Sequence, residues 1–323
     1  MAYRSFDPWH QKEYCSCQDT SRQELEGILK QAGEAWCLWR RKPVKERCDM
    51  LLTLENTLLS RREEYAGIMA SEMGKPLRQG MAEIDKCALL CRYYAENAEE
   101  MLRPEKRKSS VRESYVCYEP QGIILGIMPW NFPFWQVFRF IVPAFAGGNA
   151  ALLKHASNVP GCALAIEKAV IEAGFPVGLF RSVFPTHKQV SELISSPLIR
   201  GVSLTGSNKA GAEIASVAGR HMKKVVMELG GSDPFIVFPD ASLSEAVEAA
   251  VASRFQNCGQ SCIAAKRLIV HEKIFDGFRD KLVMRTMALK VGNPLDEETD
   301  IGPMFNTAAA DELEKQVIAT IKM

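Results

Sequence analysis

GIILGIMPWNFPFWQVFRFIVPAFAGGNAALLK, residues 122–154, places an apolar helical pattern between two short aliphatic runs. GIILGIM (122–128) and AALLK (150–154) have the length of strands, and the stretch near 134–146 has helical texture. The unit then recurs. LFRSVF (179–184), GVSLT (201–205) and KVVMEL (224–229) are further strand candidates, separated by helical patterns near 160–173, 187–195 and 208–219. Five strands in strict alternation with four helices predict an α/β fold built on a parallel, doubly wound sheet. Ligands of such a sheet belong beyond the carboxyl ends of its strands. The residues there are PWN (129–131), KHAS (154–157), PTH (185–187), TGS (205–207) and ELGG (228–231), all polar, turn-forming and chemically capable.

Outward from this core, residues 21–103 read as almost wholly helical, starting at SRQELEGILKQAGEAWCLWRR with apolar positions at 25, 28, 29, 32, 36 and 39. SYVCYEPQG (114–122) reads as a strand or hairpin arm. Beyond Gly231 the alternation resumes: SDPFIVFPDA, a helix over 243–257, a strand at 266–271, a helix at 274–289, and one more helix still open at Met323.

With 323 residues, 47% of them hydrophobic, the chain can bury the core of one large or two medium domains. Lys plus Arg (40) nearly cancels Asp plus Glu (39), which argues against a nucleic-acid partner. The apolar runs are far shorter than a membrane span, and the first thirty residues are too polar and acidic for a secretory leader. A cytoplasmic protein is expected. The ten cysteines include no CxxC, and the five histidines form no HxxxH, so no metal site is expected.

No GxGxxG is present either. TGSNKAG (205–211) offers instead a strand end, a tight Gly206, Ser207 at an N-cap position and Gly211 one turn later, where helix N–H groups can take a phosphate. FQNCGQSC (255–262) poses a different question, which of two thiols is a nucleophile. The helix before it is expected to end near Asn257 with Gly259 as a left-handed cap. Cys258 then lies at the negative end of a helix dipole, where a thiolate is disfavoured. Cys262 lies past the glycine, among backbone N–H groups, and is the better candidate. Two packed thiols is the competing reading.

Four motifs together, PWNFP (129–133), LTGS with Gly211, MELGGSDP (227–234) and FQNCGQSC, resemble the NAD(P)-dependent aldehyde dehydrogenase superfamily over nearly the whole chain. LLKHASNVPGCA and ELGGSDPFIVF resemble its succinate-semialdehyde dehydrogenase group most. The resemblance implies Cys262 as the nucleophile that adds to an aldehyde, Asn131 as the oxyanion-hole amide and Glu228 as the base that activates water. Glu228 stands in an apolar run, VVMELGG, with an edge-of-sheet pairing to Lys223 or Lys224 as the bland alternative. It also implies cofactor contacts from Met128, Trp130, Lys154, Ser157, Gly206, Ser207 and Leu229. Many NAD-preferring relatives carry a glutamate where this chain has Ser157, so either NAD or NADP is expected to be accepted. His155 is expected to add charge there only below about pH 6.5. Arg139, on one helical face with Trp135 and Asn131, resembles the residue that holds the far carboxylate of succinic semialdehyde; an arginine paired with an acid is its plain alternative.

The domains implied are a nucleotide-binding one over 1–229, Rossmann-like and including the N-terminal helices and an oligomerisation arm at 113–120, and a partial catalytic one over 230–323. Relatives continue past residue 323, so a C-terminally truncated chain is expected. A homo-oligomer is expected of a full-length relative, and a truncated chain is expected to lack the strand that completes that interface. The function implied is NAD(P)-dependent oxidation of an aldehyde, against two alternatives: a non-catalytic fragment that at most binds nucleotide, and a CoA-acylating enzyme. Glu228 counts against the last, which has less need of a water-activating base.

Overall fold

The computed structural model describes residues 3–322; Met1, Ala2 and Met323, the outer limits of the two expected domains, lie outside it. The chain opens with a hairpin, β1 (Tyr3–Asp7) and β2 (Lys12–Cys17). Four helices follow: α1 (Arg22–Trp39), α2 (Val44–Ser60), α3 (Arg62–Met73) and α4 (Leu77–Met101). Their ends are written in the sequence. Ser21 and Glu24 form a reciprocal capping box on α1. α3 stops at Gly74, whose φ of +76° suits glycine, and where a Cβ would come within 2.8 Å of the Pro303 carbonyl. A two-residue ladder, β3 (Glu105–Lys106) with β4 (Tyr115–Val116), then leads into the sheet.

That sheet alternates β5 (Ile123–Ile127), α5 (Trp135–Ala146), β6 (Ala150–Lys154), α6 (Pro160–Glu172), β7 (Phe180–Ser182), α7 (His187–Ser195), β8 (Ile199–Thr205), α8 (Asn208–Arg220) and β9 (Lys224–Glu228). All five strands are parallel, in the order β7-β6-β5-β8-β9. The chain starts in the middle, winds one way through β6 and β7, then crosses to β8 and β9. The crossover leaves a crevice between the loops after β5 and β8, the switch point where such sheets bind ligands. β6 is buried along its length apart from Lys154, which explains its continuous apolar run. One hydrophobic core joins this sheet to α1–α4.

Beyond it come β10 (Pro234–Val237), α9 (Leu243–Phe255), β11 (Arg267–Val270), α10 (Phe275–Met287) and α11 (Thr307–Ile321). β10 and β11 form a two-stranded parallel sheet over a small separate cluster of Val237, Val247, Ala250 and Phe278. The segment between α10 and α11 turns back across the molecule. Pro294 accepts a backbone hydrogen bond from Leu77 (2.8 Å), Asp300 pairs with Arg78 (2.8 Å), and Phe305 stacks on Trp130 at 3.9 Å.

One element was not expected and two expectations need correction. The polar N-terminal stretch is a hairpin, anchored by Tyr3, which is buried beside Phe184 and donates its hydroxyl to the Pro185 carbonyl (2.8 Å). The arm at 113–120 forms a strand over two residues only, Tyr115–Val116, and its ladder partner is Glu105–Lys106 of the same chain. Finally, α9 stops at Phe255, short of Asn257. Asn257, Cys258 and Gly259 all turn to positive φ (56°, 56° and 76°), so three successive residues share the reversal expected of one glycine.

Candidate active site

That reversal is held by the first residue in it. Asn257 is fully buried; its backbone N–H donates to Gln79 Oε1 (2.6 Å) and its Nδ2 to the carbonyls of Asn131 (2.7 Å) and Gln260 (3.2 Å). A left-handed asparagine is tolerated when its amide makes such local bonds. The next residue, Cys258, accepts from the Gly302 N–H (3.2 Å) and points at the Gly74 carbonyl (3.8 Å). Burial pushes its thiol above the ordinary range. The helix dipole invoked for it is absent, since α9 has already ended; desolvation has the same effect.

Cys262 behaves differently. It is half-buried and lines a cavity of about 350 Å³ with Phe132, Trp135, Gln136, Arg139, Thr205, Glu228 and Leu229, while Lys75 in the α3–α4 loop and Glu83 and Lys86 on α4 complete the wall. Lys266 fixes the loop behind it, donating to the carbonyls of Cys262 (2.8 Å) and Gly231 (2.6 Å). Glu228 ends the edge strand β9 and enters the same cavity. Its side chain is 52% exposed, so the apolar run VVMELGG does not bury it. Its partner is Arg139, at 3.6 Å; Lys223 is engaged instead by the carbonyls of Ser196 and Ile199. Two residues expected to play separate roles therefore hold each other.

α5 begins only at Trp135, so Trp135 and Arg139 share a helical face and Asn131 does not. Asn131 lies in the preceding loop, outside the cavity wall, and its Nδ2 donates to the Gln260 carbonyl (3.0 Å), two residues before Cys262. The structure thus ties Asn131 to the cysteine loop but uses up one of its donors there.

The start of α5 is set by a group that sequence reading missed. Glu83, buried on α4, accepts the first N–H groups of the helix, from Phe134 (2.9 Å) and Trp135 (2.8 Å), and pairs with buried Lys75. A carboxylate on an N-terminus satisfies donors that have no partner inside the helix and opposes the helix dipole favourably. Lys75 also lies 4.2 Å from the Phe132 ring centroid. The only sequence signal was an ion pair buried at eight-residue spacing, which no periodicity argument singles out.

The remaining residues named from sequence gather at the crevice. Met128 is buried after β5 and donates its N–H to the Lys154 carbonyl (3.1 Å); Trp130 follows, under Phe305. Lys154 ends β6, its ammonium pushed down by burial, and exposed Ser157 lies three residues on. After β8, the Gly206 N–H donates to the Glu228 carbonyl (2.9 Å), and exposed Ser207 caps α8 by accepting from Ala210 (3.2 Å). Gly211 has a packing reason as well: a Cβ there would meet the Leu229 side chain at 2.6 Å. His155 departs from expectation. It is fully buried, its ring bridges the Pro133 carbonyl and the Ala156 N–H (2.9 Å each), and burial lowers it to about 4. It ties two loops together and presents no charge to the crevice. Among the described residues, no group of three or more His, Cys, Asp or Glu side chains is placed to hold a metal ion. Among the described residues, no helix is long and apolar enough to cross a membrane.

A doubly wound sheet with a helix N-terminus at its switch point, beside a cavity that joins a thiol and a carboxylate, has the architecture of a nucleotide-binding α/β enzyme. Residues 1–322 match the profile of the aldehyde dehydrogenase family, and the chain belongs to that family. It is 48% identical over 301 residues to a probable NADP(+) succinate-semialdehyde dehydrogenase of Synechocystis sp., covering 93% of this chain and 66% of that protein. With the NADP(+) succinate-semialdehyde dehydrogenase of Mycolicibacterium paratuberculosis it shares 44% over 298 residues (91% and 63%). The crystal structure of succinic semialdehyde dehydrogenase from Streptococcus pyogenes in complex with NADP+ superposes with a TM-score of 0.95 at 35% identity, over 98% of this chain and 70% of that one. The chain thus spans somewhat less than two thirds of the length of these curated relatives.

Proposed function

We propose that the chain carries the nucleotide-binding part and the thiol-bearing part of an NAD(P)-dependent aldehyde dehydrogenase whose substrate is a short semialdehyde acid such as succinic semialdehyde. The observation that carries this reading is one cavity lined by Cys262, Glu228, Trp135 and Arg139. In it, the Cys262 sulfur adds to the aldehyde carbon, and the oxygen that gains charge needs a hydrogen-bond donor. Asn131 serves if its amide exchanges the Gln260 carbonyl for that oxygen. The adduct is a thiohemiacetal; it becomes a thioester by giving up hydride, which the coenzyme would accept when bound. Glu228 takes the proton of the water that hydrolyses that thioester, a task that suits a carboxylate in contact with solvent. The division of the chain at residues 229/230 follows the same reading.

The crevice residues fit a dinucleotide: an exposed helix N-terminus at Ser207, a half-buried Lys154 ammonium, and no carboxylate at Ser157 to repel a 2′-phosphate. The coenzyme, when bound, supplies hydride acceptance. Arg139 fits the substrate's far carboxylate as a planar fork, and that binding would release Glu228 from it. Titration of the purified chain with NADP+ and succinic semialdehyde, followed by NADPH absorbance, tests the proposal. Turnover in the wild type that disappears in Cys262→Ala supports it. Turnover that survives the substitution overturns the mechanism. Nucleotide binding by well-folded protein without turnover would leave the non-catalytic alternative.

A further inference from the structure

A carboxylate entering this cavity meets more than Arg139. Lys86, on α4, lines the same cavity, with its ammonium 3.9 Å from the centroid of the Trp135 ring. Three cations reach the wall, and two are already neutralised: Lys75 by Glu83 and Arg139 by Glu228. Among the described residues no carboxylate pairs with Lys86, which rests only against an aromatic face. An exposed cation–π contact is weak, so this charge is the one most easily given to a ligand. Trp135 joins Lys86 to Arg139, touching the first and preceding the second by one turn of α5.

We propose that Lys86 is a specificity-determining residue, which receives the distal carboxylate of a short oxo-acid beside Trp135 and shares it with Arg139. This rests on the reading of the cavity as an aldehyde site and adds the group that recognises the acid end. Lys86 supplies a free point charge; Arg139 must first leave Glu228, so Lys86 makes the earlier contact. Because Lys86 is exposed, Lys86→Met leaves the core untouched.

The test is calorimetric titration of the chain with succinate at low ionic strength, for the wild type, Lys86→Met and Lys86→Arg. Loss of one charge-assisted contact weakens binding by about ten-fold or more in Lys86→Met, while Lys86→Arg stays within about two-fold. Equal affinity in wild type and Lys86→Met, or no succinate binding by the wild type at millimolar concentration, overturns the assignment. Butyraldehyde, which has no acid end, separates this result from the reading beneath it. Its oxidation with NADP+ alongside Lys86-independent succinate binding removes Lys86 alone. Succinate binding that depends on Lys86, with no aldehyde oxidised, keeps the anion site and removes the oxidation.

Discussion

His155 shows how far a single residue can depart from what its neighbours in sequence suggest. KHAS reads as a polar turn, yet the imidazole is sealed against the Pro133 carbonyl and stays neutral down to about pH 4. The unfolded chain binds its proton near pH 6.5, so between these values the unfolded state holds more protons than the folded one. Stability is therefore complete above about pH 6.5 and falls as pH drops toward 4, by up to about 3 kcal/mol from this residue. Urea midpoints at pH 7 and pH 4.5 measure it. His155→Gln should flatten most of the difference, and an unchanged pH slope would refute the account. Cys258 and Cys262 make the converse point. Their ranking came out of sequence order and turn chemistry, although the cause assigned to Cys258 was a dipole where the structure has desolvation. Arg139 and Glu228 were each legible as cavity residues. Their mutual contact was not, because it joins a helix and an edge strand eighty-nine residues apart, beyond the reach of any local pattern.

At the scale of elements, the sheet was legible to within a residue or two at most ends. Short aliphatic runs bounded by glycine, proline or capping residues leave few alternatives, and a parallel sheet needs helices between its strands. The N-terminal hairpin escaped because its strands bury only alternate residues, such as Tyr3 and Ser5, so polar positions dominate the composition. The α4–α5 junction escaped for a different reason: its central bonds are between a buried carboxylate and backbone N–H groups of another element. That junction supports a prediction. Glu83→Gln leaves Lys75 charged and buried without its counter-ion, which should cost about 3–5 kcal/mol. Adding Lys75→Met should restore a good part of it, since the uncompensated charge is gone. Denaturant titration of the three proteins checks this; a single variant within 1 kcal/mol of wild type would show that the pair is dispensable.

Across the whole molecule, the two hydrophobic clusters differ greatly in size. The larger binds the sheet to α1–α8; the smaller holds β10, β11, α9 and α10 around four buried side chains. Ile236, Phe238, Ile269 and Met287 remain exposed on that side. Few buried contacts mean low opening free energy, so amides of β10 and β11 should exchange with deuterium orders of magnitude faster than those of β5 and β6. Equal protection in both sheets would mean that the small cluster opens only with the whole. Something else closes the distance between the two parts. The return segment from Pro294 to Phe305 contributes no acid, base or nucleophile to the cavity, yet it grips Leu77 and Arg78, lends an N–H to the Cys258 sulfur and lays a ring on Trp130. It works as a buckle, and the reactive loop is only as well aligned as that buckle is tight. Proteolytic nicking there, or Phe305→Ala, should blur the chemistry of Cys262 from a distance, visible as altered alkylation kinetics at a thiol the cut never touches.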